Sequence, residues 1–265
     1  MQAPFTVTPE VIRGFDEDGF VKLSDVLDPE TLRGYETEIT AKVKELNTQH
    51  LPLEERDTYG KAFLQVSNLW RHSEIVREFV FSERLAGIAT ALLQTRGVRL
   101  YHDQALYKES GGGITPWHAD QYYWPLSSDR TVTAWVPLQD TPADMGPLSF
   151  ARGSHRFTFG RDLPISDESE ARLEVELAKA DFPLVAQPFA LGDVSFHNGW
   201  TFHRAGANQS GRPRAVMTMI YMDADIRMTA PTNRFQSNDS ATWMPGTAVD
   251  TIPDGPLNPV LYPVR

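Results

Sequence analysis

Short extended segments recur at 98–108, 131–138, 147–151, 184–190, 193–197, 200–204 and 214–223, separated by clusters of Gly, Pro, Asp and Ser. Many short strands with turn signals predict a mainly β protein, a sandwich or barrel, here with helices flanking it. A second observation narrows the class. His118 and Asp120, on a short run between the first two segments, and His203, in the 200–204 segment, are suited to one metal ion although 85 residues separate His118 from His203. Strands distant in sequence become neighbours in a jelly roll, the double-stranded β-helix, and that is the fold expected.

The elements follow in order. Thr8-Pro9-Glu10 reads as a helix start, Gly19 as its stop, and a short strand leads to a second start at Asp28-Pro29-Glu30. The amphipathic stretch from Glu30 to Leu46 is expected to lie against the sheet. Residues 48–75 read as irregular, with His50 and His72 as surface histidines, and one helix is expected from Ser73 to Leu93 before the first core strand, Val98 to Lys108. Ser166 to Ala180 is acidic and helical in pattern, most simply a solvated face. From Arg227 to Arg265 periodicity fades and Pro231, Pro245, Pro253, Pro256, Pro259 and Pro263 recur. Trp243, Met244, Leu257 and Tyr262 call for burial, which favours an arm packed over the jelly roll above a partner-binding extension.

These elements are expected to form a single domain over 1–265: a helical part at about 1–95, the jelly-roll core at about 98–223 and a proline-rich arm at about 227–265. With 265 residues and 41% hydrophobic content, the chain can bury roughly three quarters of its unfolded surface in one core. The absence of cysteine excludes disulfides, thiolate zinc sites, cysteine-ligated iron–sulfur clusters and cysteine nucleophiles. A formal charge of −10 makes nucleic acid, an anionic membrane and an acyl-CoA poor partners. No leader pattern and no long apolar run is present, so the expectation is a cytoplasmic protein acting on a small molecule as a monomer or homodimer.

The chemistry centres on Trp117-His118-Ala119-Asp120. In an extended strand alternate side chains share a face, so His118 and Asp120 can grip one ion while Ala119 points away. Thr115-Pro116 upstream and Tyr122-Tyr123-Trp124-Pro125 downstream bound a short run, which suits a metal at a strand end with aromatic walls. Two imidazoles and one carboxylate are the donor set of a non-haem Fe(II) site with open positions for oxygen chemistry.

His203 precedes the turn-like Ala207-Asn208-Gln209-Ser210-Gly211, and Arg214 follows it. Read as a hairpin, residues 203–205 lie opposite 213–215, with opposed Cβ atoms about 5 Å apart. Arg214 then stands one side chain from the metal, where a planar cation can hold the far carboxylate of a small diacid. His197, six residues before His203, is the competing ligand. The eleven-residue offset to Arg214 favours His203, leaving His197 as a supporting histidine.

The chain resembles the phytanoyl-CoA dioxygenase family of Fe(II)- and 2-oxoglutarate-dependent oxygenases from about Phe15 to about Met222. The likeness rests on Phe15-Asp16-Glu17-Asp18-Gly19-Phe20-Val21, Leu27-Asp28-Pro29-Glu30, His102 to Lys108, Gly111-Gly112-Gly113, Trp117 to Asp120, Thr133-Ala134-Trp135, Gly146-Pro147-Leu148 and Gly153-Ser154-His155, in the family's order. The resemblance implies a cupin-like fold, iron ligands His118, Asp120 and His203, and Arg214 as anchor for the distal carboxylate of 2-oxoglutarate. It places Gln104 and Trp135 in the cosubstrate pocket and Lys61 as a further match to a lysine there. Where some members carry a serine two residues after the distal histidine, this chain has Ala205, with Thr133 the candidate replacement. Asp120 stands where halogenating relatives carry a small residue, which favours hydroxylation.

The function so implied is a dioxygenase using Fe(II), 2-oxoglutarate and O2 to oxidise a C–H bond of a small molecule in secondary or specialised metabolism. Three protein ligands leave three iron positions, two for 2-oxoglutarate and one for O2 beside the substrate. Oxidative cyclisation or desaturation is the alternative outcome. A metal-dependent hydrolase or isomerase on a cupin-like barrel would use the same triad without needing Arg214, and a non-catalytic binding module would not need an intact triad.

Overall fold

The computed structural model describes residues 4–262, so Pro263 and the outermost ends of the expected 1–265 unit lie outside the described residues. The chain runs α1 (Pro9–Asp18), β1 (Phe20–Leu23), α2 (Pro29–Leu46), α3 (Thr58–Ala62), β2 (Leu64–Ser67), α4 (Glu74–Val80), α5 (Glu83–Leu93), β3 (Val98–Lys108), β4 (Thr115–His118) and β5 (Thr131–Pro137). It continues through β6 (Leu148–Ala151), α6 (Asp167–Lys179), β7 (Leu184–Ala186), β8 (Val194–Asn198), β9 (His203–Ala205), β10 (Arg214–Asp223), α7 (Arg234–Trp243) and β11 (Val260–Tyr262).

The helix starts behave as their sequences demand. Thr8 and Asp28 accept hydrogen bonds from Val11 N and Thr31 N, each with proline at the first turn. Gly19 ends α1 at φ +80°, and a Cβ there would sit 2.4 Å from His155 Nδ1, so both backbone and space require glycine. Leu32, Ile39 and Val43 of α2 are buried against the sheet side as expected. The single helix expected at 73–93 is two helices, because Ser82 starts a new one by accepting from Leu85 N. Residues 64–67, expected to be irregular, add strand β2 to β3.

Two antiparallel sheets face each other. The larger orders β1-β8-β5-β10-β3-β11 with β2 also on β3, and the smaller orders β4-β9-β6-β7. All ten residues of β10 are buried, yet the two faces differ. Ala215, Met217, Met219 and Tyr221 pack with Ala105, Val132, Ala134 and the residues of α2, α4 and α5 in the main core. Arg214, Thr218 and Ile220 point to the opposite side, into the space between the sheets. Helices therefore close the outside of the large sheet, and chemistry occupies its inside.

The hairpin expected between His203 and Arg214 is absent. β9 pairs with β4 and β6, and β10 pairs with β3 and β5, so the two residues belong to opposite sheets. The connecting segment arches between the sheets because its polar groups are taken elsewhere. The Asn208 amide donates to the carbonyls of Lys108, Glu109 and Arg212 at 3.1, 3.1 and 2.8 Å, and Gln209 N donates to Asp144 O at 2.7 Å.

Outside the sandwich, α6 is more than a solvated face. Leu173 and Leu177 are buried, and Glu170 accepts from Trp117 N at 2.7 Å while pairing with Arg204 at 2.5 Å. The arm packs on the sandwich as expected and contains the helix α7, which its faint periodicity hid, and β11 on the edge of β3. Met244 is buried and Trp243 and Leu257 are partly so, whereas Tyr262 stays exposed. Among the described residues no helix is long and apolar enough to cross a membrane.

Candidate active site

His118 closes β4 and lies in register with His203, the first residue of β9, which brings their rings to 4.2 Å between centroids. Ala119 continues extended and Asp120 opens a 3-10 turn, so the pair sits at the strand end as the sequence implied. Asp120 Oδ1 is 3.6 Å from His118 Nε2 and 3.8 Å from His203 Nε2. One donor atom from each of the three lies within 4.8 Å of the others.

The surroundings orient these donors. His118 Nδ1 donates to Pro116 O at 2.7 Å and His203 Nδ1 to Thr201 O at 3.0 Å, which puts the lone pair of each ring on Nε2, facing the centre. Asp120 Oδ2 accepts from Thr133 Oγ1 at 3.0 Å and from His197 Nε2 at 3.2 Å, leaving Oδ1 for an ion. Thr133 on β5 and His197 on β8 are register partners, so one strand pair aims both donors at one oxygen. Burial, helped by His203 beside His118 and by His197 beside His203, pushes both imidazoles down to about 4, so they are free bases at neutral pH. Burial works against ionisation of Asp120, but the imidazoles around it, His203 first, hold its carboxyl well below the usual range. Free-base nitrogens and an ionised oxygen converging on one point fit a divalent ion.

A cavity of about 430 Å3 contains this centre and extends to Arg214. Arg214 is buried, its guanidinium donates to Gly146 O and lies 5.4 Å from the Trp135 ring, and its Nε has no partner. Beside it in the ladder is Lys108, whose ammonium donates to Gly113 O and to Thr115 Oγ1 at 3.3 Å. Burial pushes Arg214 down to about 9, and burial together with Arg214 pushes Lys108 down to about 6. Among the described residues neither cation pairs with a carboxylate. A buried guanidinium without a counter-ion is costly unless an anion enters, and Lys108 beside it is held neutral until one does.

Gln104 and Trp135, with Thr218 between them on β10, line the cavity. Two expected positions are different. Thr133 bonds to Asp120 and not to the Arg214 end, because its register partner is His197. Lys61 does not line the cavity: its carbonyl accepts from Gly113 N at 2.8 Å, and its neighbours Tyr59 and Phe63 face the cavity instead. Of the aromatic residues expected as walls, Tyr123 and Trp124 line it and Tyr122 does not, while Trp243 of the arm joins them. Lys108 and Thr115 were missed. The alternation of 102, 104, 106 and 108 on one strand face was the available signal for Lys108, and Thr115 needed the pairing that sets it opposite Ala205.

A jelly roll holding a two-histidine, one-carboxylate donor set and a buried cation in the same cavity defines the class of metal-dependent oxygenases. The model of the family Phytanoyl-CoA dioxygenase (PhyH) matches residues 15–216, and the chain belongs to that family as an Fe(II)- and 2-oxoglutarate-dependent dioxygenase. The chain is 22% identical over 255 residues to the 1-deoxypentalenic acid 11-beta-hydroxylase of Streptomyces exfoliatus, covering 90% of this chain and 86% of that protein. Among solved structures, the non-heme alpha ketoglutarate dependent carbocyclase SnoK from nogalamycin biosynthesis superposes with a TM-score of 0.78 at 25% identity, covering 98% of this chain and 99% of that one. The epimerase SnoN, solved in complex with Fe3+, alpha ketoglutarate and nogalamycin RO, gives 0.77 at 26% identity over 95% and 97%.

Proposed function

We propose that the protein hydroxylates a C–H bond of a diffusible small molecule in specialised metabolism, acting in the cytoplasm as one domain, monomeric or homodimeric. In this reading His118, Asp120 and His203 hold Fe(II), and Arg214, Gln104 and Trp135 hold 2-oxoglutarate. The observation that carries it is the pairing, in one cavity, of an oriented donor triad with the buried guanidinium of Arg214, which has no carboxylate partner among the described residues.

Bound Fe(II) and 2-oxoglutarate supply an O2-dependent oxidation that yields succinate, CO2 and an oxidised substrate. The chain's residues set where that happens. Arg214 neutralises the distal carboxylate of the cosubstrate, with Thr115 opposite Ala205 offering the hydroxyl that other members place on the distal strand. Lys108 behind Thr115 adds a second cation. Thr133 and His197 hold one oxygen of Asp120 so that the other stays on the ion. Tyr123, Trp124 and the α7 face cover the remaining volume, orienting substrate and excluding water. Lys61 and Thr133 receive no direct role in cosubstrate binding.

Hydroxylation is supported by the name of the Streptomyces relative, and ring closure stands as the second reading because the SnoK likeness spans nearly the whole chain. The hydrolase and isomerase alternative lacks support, since it leaves the buried Arg214 guanidinium without an anion. Oxygen uptake and succinate formation dependent on both Fe(II) and 2-oxoglutarate, with mass spectrometry of a substrate panel, test the proposal. Product gaining one oxygen supports hydroxylation, loss of two hydrogens supports ring closure, and no metal-dependent conversion of 2-oxoglutarate refutes both.

A further inference from the structure

The cavity has a second charged end that the cosubstrate does not use. Phe235, Asp239 and Trp243, spaced four residues apart on α7, form one helix face over the cavity. Asp239 Oδ2 accepts from the Tyr101 hydroxyl at 2.7 Å, and the Trp243 indole also donates to the carboxylate. Tyr101 reaches α7 because the β3–β10 register slips there: Ile220 pairs with His102 and Tyr221 with Leu100, so Tyr101 sits in a bulge that re-aims its side chain. Both donors are neutral. Among the described residues no Lys, Arg or His forms an ion pair with Asp239.

An ionised carboxylate accepts at about four positions, and two neutral donors leave the charge itself unmatched. Burial raises the Asp239 carboxyl to about 6, which still leaves it ionised at neutral pH. If Asp239 served only to tie α7 to Tyr101, an uncharged acceptor would suffice without the cost of a half-buried charge. Tyr59, Phe63, Phe235 and Trp243 line the same cavity, and aromatic rings attract cations through their faces. The two ends of the cavity are thus complementary to two ligands of opposite charge, an anion at Arg214 and a cation at Asp239.

We propose that Asp239 binds a protonated amine on the substrate, so that the molecules oxidised here carry a basic nitrogen. This rests on the oxygenase reading of the same cavity. The partner ammonium would sit between the carboxylate and the aromatic faces, placing the substrate between α7 and the His118–Asp120–His203 centre.

The test uses an isosteric pair of probes, cyclohexylmethylamine and cyclohexylmethanol, bound to the full protein loaded with Fe(II) and 2-oxoglutarate under nitrogen and followed by tryptophan fluorescence. Wild type is expected to bind the amine at least about tenfold more tightly than the alcohol, as an ion pair joined to a cation–π contact warrants. Asp239→Asn, which still accepts from Tyr101, should reduce that preference to within about threefold. Tyr101→Phe removes the tie but keeps the charge, and should retain the preference. The proposal is overturned if wild type shows no preference, if the preference survives Asp239→Asn, or if Tyr101→Phe abolishes it in a folded protein. Titration of 2-oxoglutarate into wild type separates the two readings: no binding would overturn the oxygenase reading while an amine preference would still support the Asp239 site.

Discussion

Arg214→Leu tests the cosubstrate assignment most directly. The substitution removes a guanidinium that is 1% exposed, bonded to Gly146 O and stacked on Trp135, and keeps an apolar side chain in its place. Charge-assisted hydrogen bonds contribute about 1.5 to 3 kcal/mol, and removing one partner of a buried ion pair costs about 2 to 5 kcal/mol. At about 1.4 kcal/mol per decade, this corresponds to roughly 30-fold to 4,000-fold weaker 2-oxoglutarate binding. The structure favours the lower half of that range. Lys108 remains beside the vacated position, and one guanidinium nitrogen is already committed to Gly146 and is not available to the ligand. Equilibrium dialysis of 2-oxoglutarate under nitrogen, with Fe(II) affinity measured separately, gives the two numbers required. Fe(II) affinity should hold, since Arg214 is not among the donors. Arg214→Lys should fall between, because it keeps the charge and loses the fork. An unchanged 2-oxoglutarate affinity in folded Arg214→Leu refutes the reasoning.

Further predictions follow from the neighbouring groups. His203→Ala should abolish Fe(II) binding, whereas His197→Ala, which removes only a donor to Asp120 Oδ2, should weaken it by about 10- to 100-fold; an iron titration giving the reverse order would exchange their roles. Thr133→Val keeps the shape of the side chain and deletes the other donor to that oxygen, so it should also cost about tenfold in Fe(II) affinity while 2-oxoglutarate affinity at saturating iron stays within about twofold. A selective loss of 2-oxoglutarate affinity would return Thr133 to the cosubstrate. Lys108, held down to about 6 by burial and Arg214, is neutral at pH 7.5 in the ligand-free protein, and a nearby carboxylate raises it. Binding of 2-oxoglutarate at pH 7.5 should therefore take up as much as one proton, read from calorimetry in buffers of different ionisation enthalpy, and Lys108→Met should remove the uptake. The same shift means that, through Lys108, the unfolded chain binds one more proton from about pH 7 to about 9, so this group should make ligand-free stability rise with pH across that window by at most about 1.4 kcal/mol per unit; the same profile in wild type and in folded Lys108→Met would argue against a neutral Lys108.

Local order alone fixed much of this protein. Thr8-Pro9 and Asp28-Pro29 cap helices whatever surrounds them, Val98 to Lys108 alternates as a strand over its observed length, and His118 and Asp120 are close enough in sequence to share a site on any extended backbone. The pairing of strands was not legible, because hydrogen-bond partners are chosen by the whole sandwich. A turn-like Ala207 to Gly211 suggested a hairpin, yet Asn208 binds the end of β3 and sends β10 into the other sheet. Arg214 thus reaches the cavity from the sheet opposite His203, a position that no offset along the chain encodes. The roles of Thr133, His197, Lys108 and Thr115 were likewise decided by register, since each depends on which residue a different strand places across from it. Asp239 shows the limit most clearly: its helix has weak periodicity and its partner Tyr101 is 138 residues away, so only the folded chain brings the unmatched carboxylate to the mouth of the site. Sequence determines which side chains can do chemistry, and tertiary packing determines which of them meet, because close approach and desolvation are properties of the assembled core.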